Sequence, residues 1–520
     1  MSKASIDHIE VEETAKVDVV PPPAPSTSAL WRIFKTDPDP AFLADLASIN
    51  ETDLDEARVK QMERRIDWLI IPALAVCYMF YYVDKTTLSY AAIFGIKDDL
   101  KLKSAEYSWL SSIFYFGWLT WAVPTNLLMQ KFPLGKYLAL NIFLWGALLM
   151  AQAASRNFTD MMILRFLSGA FEATADPAFV MITALWYTRE QQPVRIGLWY
   201  SANGVGIALG GLLGYGIGQI SGALPSWKYE FLIIGAVCSF WGIVLAIVLP
   251  DSPYYESKWF SYNDRLLILS RKRHDQGGAD SRHWSGEQFL EALIDPKTYL
   301  FFLLGFSGNI PNGGISNFGT LIISGFGFDR LQTSLMQIPY GAVVVVAILS
   351  AVYLNTIAPR NSRTLLMCLY IVPNIIGSCL MAWAPADNKA ARLVGYWLTG
   401  SYNAAFVLGL SLVSGNVGGQ TKKAIANASI FLGVCAGNIV GPFLFKTSEA
   451  PKYTTGIIGM LVANCIEVLV ILALRFLFLS SNRKRDNRLA EAHGGVSYDE
   501  AGGVIEDLTD WKNPAFRYVA

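Results

Sequence analysis

The chain of 520 residues is poor in charge. Lys, Arg, Asp and Glu make up 16% of it, and 42 basic side chains balance 42 acidic ones, so the formal net charge is zero. That balance argues against a nucleic-acid partner, which would ask for a basic excess. Histidine is rarer still. His8, His274, His283 and His493 all fall in polar stretches, so the apolar blocks hold no imidazole for moving protons. The cysteines Cys77, Cys238, Cys368, Cys379, Cys435 and Cys465 stand singly, with neither metal-ligand spacing nor the look of an extracellular disulfide set. No phosphate loop, nucleophile elbow or HExxH string occurs, so the sequence reads as a non-enzyme that needs no cofactor and no metal. The first 65 residues are polar and proline-rich (PPPAP), unlike a cleavable signal peptide.

What is abundant is apolar sequence: 53% of the residues are hydrophobic, with a mean hydropathy of +0.34. They come in blocks of about 20, the length that crosses the hydrocarbon core. Twelve candidate spans follow, at 67–88, 106–129, 134–153, 158–186, 196–220, 229–249, 298–323, 331–355, 364–384, 391–414, 424–445 and 454–479. They must be helices, because lipid offers backbone polar groups no partners. The expected organisation is a cytosolic N-tail over 1–65, taken as disordered, and a six-helix bundle over 66–250. A cytosolic loop over 251–297, a second six-helix bundle over 298–480 and a cytosolic C-tail over 481–520 complete it. This all-α, two-bundle pattern is that of the major facilitator architecture. Arg64, Arg65, Lys131, Lys136, Arg189, Arg195, Arg360 and Arg363 would gather on one side, which the positive-inside rule makes cytosolic. Asn157 heads a glycosylation acceptor, but in a loop too short against the membrane to be used.

Charges inside the spans carry the functional reading. Each costs about 2.5–3.5 kcal/mol at the bilayer centre on the insertion scale, so it is kept where it faces a water-filled path. Asp84 and Lys85 stand in span 1; Arg165 and Glu172 stand seven residues apart in span 4, close to two helical turns and therefore on one face. With no membrane histidine, any proton relay must run on carboxylates, here Asp84 and Glu172. A neighbouring cation lets substrate anion and proton exchange places. The plainer alternatives are a permanent salt bridge for Arg165–Glu172 and a snorkelling lysine for Lys85. Asp176, just before Pro177, and Glu467 in span 12 are further acids, the latter expected to lie outside the central path.

The second bundle offers amides instead. SGNIPNGGIS (Ser307 to Ser316) is expected to break span 7, and broken helices are tolerated where they line a cavity. Asn309 and Asn312, with Tyr402 and Asn403 of span 10, are the candidate substrate contacts there; helix–helix hydrogen bonding is the other use of such groups. The glycines from Gly204 to Gly218 read as close helix packing.

Several strings are distinctive: VDKTTLSYAAIFGIKDDL (Val83 to Leu100), YSWLSSIFYFGW, RFLSGAFEA, LPDSP, FLEALIDPKTYLFF, GNIVGP and the tail NRKRD…DLTDWKNPAFRYV. On these the chain resembles the fungal allantoate permease family, anion:cation symporters of the major facilitator superfamily, over nearly everything from Arg64 to Ala520. The resemblance implies a monomeric carrier in the plasma membrane, both termini cytosolic, that imports a small organic anion with a proton. In related sialin-type and bacterial galactonate symporters, an Asp-Arg pair in span 1 and an Arg…Glu pair in span 4 do this work. Carried over, Asp84 and Glu172 handle protons and Arg165 the substrate or the coupling. Lys85 stands where those relatives have Arg; it offers a point charge rather than a two-pronged fork. Family substrates include allantoate, ureidosuccinate, dipeptides, vitamin-like carboxylates and amino acids. An efflux carrier and a non-transporting nutrient sensor are the competing readings.

Overall fold

A computed structural model describes residues 39–48, 56–103, 105–188, 191–275, 285–359, 361–492, 508–513 and 516–520. His8, His283, His493, Arg189 and Arg360 lie outside the described residues, as does the tail before residue 39. Among the described residues there is no strand, and twelve helical spans cross the fold.

In the first bundle they are span 1 (Glu56–Ile93), span 2 (Glu106–Lys131), span 3 (Leu134–Gln152), span 4 (Phe158–Glu172 and Ala175–Trp186), span 5 (Gln192–Gly218) and span 6 (Ser226–Val248). In the second they are span 7 (Pro296–Gly325), span 8 (Arg330–Leu335 and Gln337–Ile357) and span 9 (Arg363–Trp383). Span 10 (Lys389–Leu398, a 3-10 turn and Tyr402–Asn416), span 11 (Gln420–Val440) and span 12 (Thr454–Ala492) follow. Eight helices are apolar and long enough to cross a membrane by composition alone; spans 2, 4, 7 and 10 fall outside that group. Spans 4 and 10 are interrupted, and spans 2 and 7 carry Ser, Tyr, Asn and Gly that face protein. A span surrounded by other helices has no need to match lipid.

Close approach is bought with missing side chains. A Cβ on Gly117 would strike the Phe166 carbonyl and one on Gly169 the Phe114 carbonyl, so spans 2 and 4 touch backbone to backbone. The glycines of span 5 do the same across the bundles: Gly204 meets Gly341 of span 8. Packing, as expected for that stripe, is their use. Asn157 caps span 4 by accepting from the Asp160 N–H at 2.9 Å.

The start of span 1 and the end of span 12 lie on one side of the twelve spans, here called the tail side. On the far side the bundles are joined by hydrogen bonds. Ser89 and Thr320 hydroxyls meet at 2.8 Å, Tyr107 donates to the Asn317 carbonyl at 2.6 Å, and Ser112 donates to the Ile439 carbonyl at 2.8 Å. Lys97 lies over the Tyr107 ring at 4.3 Å. This conformation is closed on the far side.

Three expectations need correction. Span 7 is not broken: Pro311 sits inside one continuous helix, held by span 11 packed along it. The N-tail is not wholly free, because Pro40–Ser48 is a helix whose Phe42 packs on Leu266 and Leu269, and the helix of span 1 starts at Glu56 rather than 67. The C-tail is docked. Asp510 is 0% exposed and pairs with Lys297 and, at 2.9 Å, with Lys422. Lys422 also reaches Asp295 at 2.8 Å and Glu291 at 2.6 Å, and Tyr518 donates to Asp510 at 2.6 Å. Asn416 clamps Val519 through both backbone groups, at 2.7 and 2.9 Å. The segment docks through amides and charges, which apolar periodicity does not register.

Burial works against the Asp510 carboxylate, yet Lys297, Tyr518 and Lys422 outweigh it and hold it below its ordinary value. A carboxylate depressed by folding adds stability above its unfolded value, about 3.9, and loses it as the pH falls through the lower folded value. Tail docking should therefore be constant from neutral pH to about 5 and weaken only in stronger acid. Asp510→Ala removes one carboxylate that Lys297 and Lys422 share, leaving them Asp295 and Glu291, and should cost about 1–3 kcal/mol. Thermal unfolding and limited proteolysis of the tail would measure this; an unchanged midpoint and a protected tail would contradict it.

Candidate functional site

Four spans of the first bundle converge on one charged cluster. Asp84 of span 1 accepts from the Trp145 indole of span 3 at 2.9 Å. It faces Arg165 of span 4 at 3.9 Å, too long for a hydrogen bond. Arg165, 3% exposed, donates to the Leu110 carbonyl of span 2 at 3.4 Å and lies over the Phe114 ring. The partner of Arg165 is thus Asp84, not Glu172. Seven residues along one helix separate Arg165 from Glu172 by about 10 Å of rise, so sharing a face does not make them a pair.

Glu172 sits at the end of the first helical piece of span 4, where the helix stops before Ala175. It is 1% exposed, and neither carboxylate oxygen has a hydrogen-bond partner. Lys85 lies beside it. Its ammonium stands 4.5 Å from the Tyr81 ring centre, 4.9 Å from Tyr82 and 5.8 Å from Tyr115. Among the described residues it makes no ion pair. Three tyrosine faces hold a cation by their quadrupoles, worth about 0.5–2 kcal/mol each. Lys85 therefore points into the protein and does not snorkel. Asp176 is half-buried one turn beyond Glu172.

The second bundle contributes a neutral network. Asn312 donates to Asn438 at 3.0 Å, Asn438 donates to Asn309 at 3.2 Å, and Asn309 donates to the Gly305 carbonyl at 2.9 Å. Tyr402 donates to the Asn312 oxygen at 2.6 Å, where Ser316 also reaches at 3.2 Å. Asn403 stands apart: it accepts from Asn203 of span 5 at 3.0 Å, joining the bundles at mid-depth. Between the bundles a narrow cavity of about 10 Å³, the space of roughly one water, is lined by Tyr82, Thr86, Asn312, Ser316 and Tyr402 among others. Of the predicted contacts, Asn312 and Tyr402 face it, while Asn309 and Asn403 are taken up in bonds between helices.

Sequence reasoning passed over several residues. Tyr115 falls within a distinctive string and Tyr81 and Tyr82 just precede another, but only the fold sets them around Lys85. Asn438 of span 11 is one amide in an apolar block, and only the fold sets it between Asn309 and Asn312. Glu230 was missed because SWKYEF reads as a membrane edge; it is fully buried and neither of its oxygens has a hydrogen-bond partner. Glu467 is buried against Gly308 of span 7 inside the second bundle.

Residues 74–442 match the family model described as Major Facilitator Superfamily. The chain is 37% identical to an uncharacterised transporter of Schizosaccharomyces pombe, over 87% of this chain and 86% of that one. It is 30% identical to the allantoate permease of Saccharomyces cerevisiae, over 99% and 98% of the two chains. It is also 30% identical to a thiamine pathway transporter of the same yeast, over 88% and 86%. Among solved structures, a bacterial homologue of the human lysosomal transporter Spinster, inward-facing and unoccupied, aligns with a TM-score of 0.59 at 14% identity. It covers 78% of this chain and 96% of its own. That likeness bears on the fold alone.

The amide network gives a direct test. Asn438→Leu removes the acceptor of Asn312 and the donor to Asn309 together. Each buried group left unmatched costs about 1–3 kcal/mol, so the thermal midpoint of the purified protein should fall more than in Ser316→Ala, which removes one weaker contact. Equal midpoints for the two variants would show that the network adds nothing to the second bundle.

Proposed function

The chain belongs to the Major Facilitator Superfamily, among its allantoate permease-like members, and from that premise we propose that it is a proton-coupled symporter. It imports a small carboxylate-bearing solute by alternating access between the two bundles. It works as a monomer in the plasma membrane with both termini cytosolic, and its relatives are transporters rather than enzymes.

The observation that carries the reading is that one cluster holds a buried acid without a hydrogen-bond partner, Glu172, and a cation without an ion pair, Lys85. Glu172 is buried without a hydrogen-bond partner, and an ionised carboxylate in that setting is costly. A proton on Glu172 is the arrangement the site accommodates. Lys85 is then a cation held by tyrosine rings and no ion pair, ready for an anion. A substrate carboxylate arriving on Lys85 replaces the electrostatic support that Glu172 would otherwise give it. Loss of the substrate on the other side frees Lys85 to stabilise an ionised Glu172, and the proton leaves. Charge on the solute and proton on the acid are thus linked through one ammonium group. Asp84 and Arg165 act one step away: protonation of Asp84 would release Arg165 toward the solute. Lys85 offers one charge without directional bonds, which suits carboxylates on differently shaped molecules. The amides and phenol of Asn312 and Tyr402 read the remainder of the solute, with Asn309 and Asn403 fixing the helices that carry them.

Three experiments bear on this. In a host lacking its own permease, Glu172→Gln should abolish pH-driven accumulation while leaving counterflow exchange partly intact. Full pH-driven uptake in both Glu172→Gln and Asp84→Asn would falsify the coupling, and absence of uptake by the unaltered chain for every solute tested would favour efflux or sensing. Lys85→Ala should raise the apparent KM at least tenfold, as about 1.4 kcal/mol of lost binding implies, with surface expression preserved; an unchanged KM would remove Lys85 from the binding site. Asn312→Ala should reorder a competition panel of ureides, vitamins, dipeptides and amino acids by about 5- to 150-fold. An unchanged ranking would place specificity elsewhere.

A further inference from the structure

At the tail side of the first bundle, the start of span 1 and the loop after span 6 enclose a cleft of about 570 Å³. Its walls include Lys60, Arg64, Arg65, Trp68, Leu69 and Trp259. None of these belongs to the central path. On span 1 they form two rows at four-residue spacing, Lys60–Arg64–Trp68 and Gln61–Arg65–Leu69, which an α-helix stacks side by side on one face. Reading down the rows, cations give way to an indole and then to an aliphatic side chain over about 12 Å.

The polar wall gathers several cations. Arg58, Lys60, Arg64 and Arg65 stand together on this segment, and Asp264 answers them, at 3.6 Å from Arg58 and 3.7 Å from Arg65. Glu63 is taken by Arg271, and Asp67 by Arg195 at 3.1 Å. Arg65 also donates to the Trp259 carbonyl at 3.2 Å, fixing the loop as the second wall. Among the described residues Arg64 makes no ion pair.

The apolar wall sets the identity of the occupant. Trp68 is 81% exposed. An indole with so little protein cover belongs at the membrane–water boundary, where its ring meets acyl chains and its N–H meets water. The cations one and two turns above it then stand at headgroup level, on the side where the Lys and Arg excess gathers. A free phosphate would use the cations and leave Trp68, Leu69 and Trp259 idle. We propose that this cleft seats an anionic phospholipid of the tail-side leaflet. Its phosphate lies between Arg64 and Lys60, and its glycerol and upper acyl chain lie against Trp68 and Leu69.

The test uses the full-length protein in phosphatidylcholine vesicles with about one-fifth of the lipid replaced by brominated phosphatidylserine, or by brominated phosphatidylcholine as reference. The Trp68 emission is the difference between the unaltered protein and Trp68→Phe. Brominated phosphatidylserine should quench it at least about fivefold more effectively than the reference, and each cation removed should reduce that preference about fivefold. Lys60→Gln with Arg64→Gln should bring the ratio close to one, Arg64→Lys should retain most of it, and molar salt should erase it in the unaltered protein. Equal quenching by the two lipids in the unaltered protein would overturn the proposal without any variant having to fold. A preference that survives loss of both cations, or that inorganic phosphate abolishes at constant ionic strength, would also overturn it, the latter by assigning the cleft to a soluble anion.

Discussion

The ion pair between Asp84 and Arg165 organises the first bundle. Neither charge is tolerable alone in an apolar interior, so each recruits what neighbouring helices can supply. Span 1 brings the carboxylate, span 4 the guanidinium, span 3 the Trp145 indole and span 2 the Leu110 carbonyl. Four helices are located by one cluster. Gly117 and Gly169 let spans 2 and 4 close to backbone contact, and without that approach Arg165 could not reach the Leu110 carbonyl. Once the pair is set, Lys85 is turned by one helical step away from Asp84, toward Tyr115 and Glu172. The unpartnered acid and the cation without an ion pair are thus consequences of where that pair sits.

Most of this fold was legible in the sequence. Apolar blocks fix twelve spans, because lipid leaves no other backbone conformation, and the long polar stretch fixes the division into six and six. The charged residues were legible too, since each is an expense that composition exposes. Their pairing was not. Arg165 and Glu172 share a face, and that local fact suggested a relation that the three-dimensional arrangement gives to Asp84 instead. Span 7 failed for the opposite reason: Pro and Gly argue locally for a break, but a helix packed along its length by span 11 keeps its course through Pro311. Glu230 was invisible because a single acid near the end of an apolar block looks like an interfacial residue.

The C-terminal segment shows what pattern-based reading leaves out. Nothing in Leu508–Ala520 has helical or strand periodicity, yet Asp510, Tyr518 and Val519 are held by Lys297, Lys422 and Asn416 of spans 7, 11 and 10. Those partners lie more than a hundred residues away or in another span, so neither end of the contact advertises it. The distinctiveness of DLTDWKNPAFRYV as a string has a physical basis: its aspartate completes a cluster of two lysines and three carboxylates.

The two kinds of contact in this molecule differ in how readily they can be undone. Within each bundle, and between spans 5 and 8 across the bundles, helices meet through glycine-lined backbone contacts such as Gly117 on Phe166, Gly437 on Phe306 and Gly204 on Gly341, which no small rearrangement can release because packed interiors are not continuously deformable. Across the far side, the bundles meet through hydroxyls and backbone carbonyls: Ser89 with Thr320, Tyr107 with Asn317, Ser112 with Ile439. Each such bond contributes about 0.5–1.5 kcal/mol net, because water can replace either partner. A handful of them sum to a few kcal/mol, the range in which a second conformation is populated and a ligand can shift the balance. The far side of the seam is therefore where this fold can open, with the close contact of spans 5 and 8 left in place, and the charged cluster and the amide network lie on opposite sides of it.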